Sequence, residues 1–220
     1  MVAAVIADIV GSRKLEDRAA AQRILDTSIA RLDDLEPALQ PLAPTVGDEQ
    51  QGVYETLDQA LTALLLLQLA LPDAVACRFG IGIGEIHRIP ASEGEIPEGP
   101  GWWAAREAID HVHAMQLRAA PLARTWIVAD PGHDDSMRST VATANAYLLV
   151  RDQLVGSMSE RERRLTYGRY LGRTQRQMAN EEQISQSAVS QALSSAGSAA
   201  VLQSLAALRG EAASGRRPRS

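Results

Sequence analysis

Residues 1–156 set extended β-branched runs against longer runs of helical period, and two extended runs meet with only a turn between them. That order constrains the fold more than anything else in the chain. "VAAVIADI" is a short apolar run that ends at Asp8 and reads as a buried strand. Asp17–Leu35 places Ala21, Ile24, Leu25, Ile29 and Leu32 near helical spacing and stops at Pro37. Leu42–Val46 and Gln51–Tyr54 flank Gly47-Asp48, residues that tolerate hairpin angles. An apolar helix over Leu57–Leu71 follows, then a long strand over Ala74–Ile89 with glycines at 80, 82 and 84. Gly99-Pro100 opens another helix, "ARTWIVAD" is a further strand, and Ser136–Leu154 a further helix. The pattern β-α-β-β-α-β-α-β-α predicts an α+β fold, a ferredoxin-like (split βαβ) sheet with additions. The alternate glycines predict close approach of another backbone to one strand face.

After Gly156 no strand signal remains, and about four short helices break at Gly172, Gln183–Ser185 and Gly197. Charge changes at the same place. Residues 1–153 carry 12 Lys+Arg against 22 Asp+Glu, and residues 154–220 carry 10 against 5. An acidic part followed by a basic part predicts two functions, the second facing a polyanion. The expected organisation is an α+β domain over 1–156, a small all-α domain over 157–209 and a disordered basic tail over 210–220. Cys77 is the sole cysteine, so no internal disulfide forms. The longest apolar run is too short to span a bilayer and the N-terminus has no basic leader, so the expectation is a cytoplasmic protein with no membrane partner.

Asp8 at a strand end and Asp48 at a hairpin tip are expected to converge at one end of the sheet. Two carboxylates with the Ile9 carbonyl make a hard oxygen site for Mg²⁺ or Mn²⁺. Gly11, Ser12 and Arg13 form a turn whose amides suit a phosphate. The bland alternative is that Asp8 caps a helix and Asp48 only turns the chain. Of Trp102-Trp103, packing at the helix start is the expectation, with base stacking as the sharper reading.

"IADIVGSRKL", "VGDEQQGVY", "RFGIGIGEI" and, in part, "WWAAREA" resemble, in order and spacing, the motifs of class III nucleotidyl cyclases. That resemblance implies metal ligation by Asp8, Ile9 and Asp48, and nucleotide binding by Gly11, Ser12, Arg13, Gly47, Trp102 and Arg106. It departs where the family's transition-state Asn falls on Trp102 and its purine-reading Lys on Pro44. The expectation is therefore a degenerate domain with poor or no catalysis. The same segments with "GPGWWAAREA" and "ISQSAVSQAL" resemble the SatD family from end to end.

"TQRQMANEEQISQSAVSQAL" (Thr174–Leu193) has the form of a helix-turn-helix. Thr174 and Ser185 are placed to cap its two helices; Met178, Ala179, Ile184 and Val189 face inward. Gln186, Ser187, Ser190 and Gln191 face outward, side chains suited to base edges. Arg173, Arg176 and the nearby Arg161, Arg163, Arg164 and Arg169 suit phosphates. The motif resembles that of sigma-like and resolvase-like regulators, except that its turn glycine is Gln183. Val201, Leu202, Leu205 and Leu208 are expected to close the small core or form a dimer seam. The reading is a homodimeric DNA-binding regulator gated by a nucleotide. The alternative is a metal-dependent cyclase or nucleotidyltransferase carrying a DNA-binding domain.

Overall fold

The computed structural model describes residues 2–45, 48–91 and 94–211. Its main sheet has the order β2-β3-β1-β4-β7, built from β1 (Ala3–Ile9), β2 (Gln40–Pro44), β3 (Gln50–Tyr54), β4 (Cys77–Ile83) and β7 (Thr125–Ala129). β1 is antiparallel to both β3 and β4, and β7 runs parallel to β4. The first four strands thus give the split βαβ arrangement, and β7 extends it by one. β3 lies between β1 and the edge strand β2, so the first and second strands are not neighbours. The long strand expected over Ala74–Ile89 is also two: β4 ends at Ile83, and β5 (His87–Ala91) pairs with β6 (Gly94–Glu98) as a separate hairpin.

Alternation along β1 divides the core in two. Ala3, Val5, Ala7 and Ile9 face α1 (Arg18–Asp33) and α2 (Leu57–Ala70). Ala4 and Ile6 face α3 (Pro100–Gln116). α2 is buried nearly all round, which explains its unbroken leucine run. α3 lies against β4 because Gly80, Gly82 and Gly84 carry no side chain. A Cβ on Gly82 would strike the Gly101 carbonyl and the Ala105 amide, and one on Gly80 the Ala105 carbonyl.

β7 has an open outer edge that α4 (Asp135–Gly156) closes with side chains. Asn145 Oδ1 accepts from the Ile127 amide and Asn145 Nδ2 donates to the Ile127 carbonyl, both at 2.9 Å. Asp152 Oδ2 accepts from the amides of Arg124 and Thr125 at 2.7 Å. Its other oxygen accepts from Arg151, also buried, which donates to Thr125 Oγ1 at 2.6 Å. A capped edge cannot recruit another strand.

The four remaining helices are α5 (Glu160–Tyr170), α6 (Gln175–Glu182), α7 (Gln186–Ser195) and α8 (Ser198–Leu208). α5, α6 and α7 share a small core of Leu165, Met178, Ala179 and Val189. α8 neither closes that core nor is left free for a dimer seam: Val201 and Leu205 pack against Leu65, Leu69 and Val155 of α2 and α4. Each such buried side chain contributes about 1.5–3 kcal/mol. Tyr170 donates to Glu36 at 2.6 Å, and Arg209 to the same carboxylate at 2.7 Å, which fastens α5 and α8 to the end of α1.

Gly82→Ala is expected to cost at least about 1–3 kcal/mol, the usual cost of overpacking, measured by urea unfolding. An unchanged midpoint would mean that α3 does not lie on β4 as described.

Candidate functional site

The predicted site residues fall into three groups. The first surrounds the turn after β1. Gly11 adopts the left-handed conformation (φ 68°), and Ser12–Lys14 make one tight 3-10 turn. A cavity of about 280 Å³ lies beside it, lined by Ile9, Ser12, Leu15, Arg18, Gln22 and Asp48. Asp48 meets Arg18 at 3.7 Å. The structure therefore brings Ile9, Ser12 and Asp48 to one place, and adds Arg18, which the sequence reading missed. Its position one residue past the α1 N-cap Asp17 was the available signal. Arg13 is exposed beside them. Gly47 lies outside the described residues.

The second group is on the other face. Asp8 has the parity of Ala4 and Ile6, so its carboxylate points to the α3 side. Both its oxygens accept from Arg78, at 2.8 and 3.0 Å, and Arg78 also donates to Gln116 of α3 at 3.3 Å. Arg106 donates to Glu49 at 2.6 Å, and Gln51 donates to the same oxygen at 3.0 Å. The Glu49 hydrogen bond holds the Arg106 guanidinium above its ordinary value. Trp102 is buried against the sheet and its Nε1 has no acceptor among the described residues, whereas Trp103 is 62% exposed. Base stacking by Trp102 therefore has no open ring face.

Asp8 and Asp48 thus have different partners on different sides of β1. A divalent ion on Asp8 would have to displace a bidentate guanidinium. The donor set as arranged does not fit Mg²⁺ or Mn²⁺, and among the described residues no three of His, Cys, Asp and Glu gather as a metal group. His111, half of the His111-x-His113 pair, stacks on Trp126 with ring centres 4.6 Å apart. Cys77 is buried, and that burial pushes its thiol up to about 12, so it is no nucleophile.

The third group is the helix pair α6–α7. Thr174 and Gln177 form a capping box, and Ser185 accepts from the Ala188 amide at 3.1 Å. Gln183 occupies the left-handed region (φ 56°, ψ 42°), alone among described non-glycine residues. Its amide bonds the Ala179 carbonyl, and Ile184 bonds the same oxygen at 3.0 Å, so the turn is the glycine-type turn made without glycine. Gln186, Ser187, Ser190 and Gln191 are all exposed along α7. The arginines are less free than the sequence suggests. Arg163 bonds Asp73 at 2.6 Å, Arg164 bonds Glu182 twice at 2.8 Å, and Arg173 bonds Glu181 at 2.6 Å. Arg161 lies 3.4 Å from Glu182. Arg176 is exposed and has no ion pair among the described residues.

The SatD family model matches residues 2–207. The chain, a mixed α+β protein with a split βαβ sheet, belongs to the SatD family. No curated protein matches it. Among solved structures it is similar to the guanylyl cyclase Cya2, at 12% identity and a TM-score of 0.42, over 50% of this chain and 69% of that one. An adenylate cyclase from Trypanosoma brucei gives 15% and 0.40, over 47% and 65%. A bacterial light-regulated adenylyl cyclase gives 11% and 0.40, over 52% and 40%. Among the described residues no helix is long and apolar enough to cross a membrane.

Two outcomes test this geometry. Gln183→Gly is expected to stabilise the protein by about 1 kcal/mol, by relieving a left-handed non-glycine residue, read as a rise in Tm. A fall would contradict the turn. Hydrogen bonding from Arg164 holds the Glu182 carboxyl below its ordinary value. A depressed carboxyl contributes stability above its unfolded pKa and loses it as pH falls through the folded one. Glu182→Gln should therefore lower stability at neutral pH by about 1 kcal/mol or less, Arg164 being half exposed, and flatten the acid limb below about pH 5. Parallel acid limbs for variant and wild type would rule that contribution out.

Proposed function

We propose that this protein is a DNA-binding transcriptional regulator. Residues 157–209 form its helix-turn-helix domain, and residues 1–156 form a nucleotide-binding and dimerising domain. The observation that carries this reading is the α6–α7 pair. Both helices are side-chain capped, the turn keeps a left-handed residue at some cost, and α7 presents Gln186, Ser187, Ser190 and Gln191 to solvent. Nothing in the small core requires short polar residues there. On a helix in the major groove, Gln pairs with adenine edges and Ser with bases or phosphates. Thr174, Arg173 and Arg176 would then lie by the backbone.

The nucleotide part of the reading rests on the cavity beside Gly11–Arg13 and Asp48. Arg18 adds a cation to a turn suited to phosphate, so the anion would be held by Ser12, Arg13 and Arg18 without a metal at Asp8. Dimerisation fits operators with two half-sites. The alternative, a cyclase or nucleotidyltransferase working with Mg²⁺ or Mn²⁺, keeps the same residues but needs Asp8 freed from Arg78. Cyclic product formed with Mn²⁺ and lost in Asp48→Ala would favour it.

Fluorescence anisotropy with the full chain tests the DNA reading. Gln186→Ala should cost about 1–3 kcal/mol on the specific site and little on random DNA. Arg176→Ala should weaken both alike and lower the salt slope by about 1. Equal losses for the two variants, or no salt-sensitive binding, would reject the assignment.

A further inference from the structure

The seam between the sheet domain and the helix pair contains a cavity that includes, of the residues proposed to contact DNA, Arg173. Its volume is about 230 Å³. On one side it is lined by Ser28 and Arg31 of α1 and Leu69 of α2; on the other by Tyr167, Arg173 and Met178 of α5, α6 and the turn between them. The floor is apolar and the rim is charged.

Arg31 has no ion pair and the Tyr167 hydroxyl no hydrogen bond among the described residues. Both line the cavity together with Arg173, so two guanidinium groups and one hydroxyl donor share one space. Burial pushes the Tyr167 phenol up, and the two guanidinia act against that push. Arg164 and Glu182, also on the lining, already satisfy each other through two hydrogen bonds. Among the described residues the Arg173 guanidinium is held only by Glu181, in a pair whose side chains are 45% and 49% exposed. Such exposed pairs contribute about 0–1 kcal/mol, so a better acceptor can take the guanidinium. Glu181 lines the cavity as well, so three arginines against two glutamates leave the lining one net positive charge.

We propose that this seam cavity binds a small phosphate-class oxyanion, gripped by Arg31, Arg173 and the Tyr167 hydroxyl. Guanidinium forks match tetrahedral oxyanions, and two of them with a hydroxyl donor suit a dianion better than a single carboxylate. The volume is below the range of about 300–1,000 Å³ that holds larger ligands. Inorganic phosphate or pyrophosphate fits inside; a nucleotide would enter by its terminal phosphate alone. The site bridges α1 to the start of α6, so an occupant draws Arg173 away from Glu181. That alters the charge beside the helix pair and clamps it to the sheet domain.

Isothermal titration of the full chain at fixed ionic strength tests this, with phosphate, pyrophosphate, ATP and adenosine in turn. The expected result is saturable binding of phosphate or pyrophosphate, weakened about tenfold or more by Arg31→Gln and by Tyr167→Phe. Both variants should keep the wild-type Tm without ligand, since Arg31 is exposed and Tyr167→Phe removes one oxygen. Binding should persist in Asp48→Asn and Arg18→Gln, which separates this site from the proposed nucleotide cavity. ATP binding that survives Arg31→Gln but not Arg18→Gln belongs to that cavity. Tighter ATP than phosphate, lost in Arg31→Gln, assigns the oxyanion to a nucleotide; equal affinities assign it to the free ion. No phosphate or pyrophosphate binding, or equal binding by wild type and Arg31→Gln, overturns the proposal.

Discussion

The contact between α3 and β4 organises the sheet. Backbone meets backbone there, because three alternate residues of the strand region lack side chains. The close approach fixes the height and rotation of α3, and so fixes what its side chains reach. Trp102 lies on the sheet, Arg106 reaches Glu49 before β3, and Gln116 reaches Arg78. A helix held one methyl group farther out would leave Arg78 without its second partner, and the polar cluster around Asp8 would open.

That cluster decides the character of the sheet domain. A carboxylate at the end of a first strand, near an acidic hairpin, invites a metal. Here the pairing of Asp8 with Arg78 in register across β1 and β4 supplies the countercharge from within the chain. The acidic hairpin is neutralised likewise, Glu49 by Arg106 on one face and Asp48 by Arg18 on the other. The open cavity lies on the Asp48 side, where a left-handed glycine and a tight turn meet an arginine. In the proposed reading this arrangement holds an anion.

Much of this was legible in the sequence. The order of elements, the breaks at Gly172, Gln183 and Gly197, the caps at Thr174 and Ser185 and the packing role of the glycine stripe follow from local chemistry. The β5–β6 hairpin did not, because prolines in that stretch speak against strands. The partners of the charges were also hidden. Asp8–Arg78, Arg163–Asp73 and the buried Arg151–Asp152 pair join residues whose environment is set by tertiary packing, or, for neighbours, by a burial that the charge itself argues against. Arg163 and Arg164, counted as suited to phosphates, are engaged by Asp73 and Glu182. Arg18 and Arg31 look in sequence like ordinary solvated positions on α1, and acquire meaning only from what folds against them.

DNA reading by α7, as proposed, is tested most directly by the ratio of affinities of the unmodified protein for DNA upstream of its own gene and for scrambled DNA of equal length. It should be measured by anisotropy at physiological salt, with and without nucleotides. A DNA-reading α7 gives a ratio of about 10³ or more, changed by at least one nucleotide. A ratio near one under every condition would contradict it.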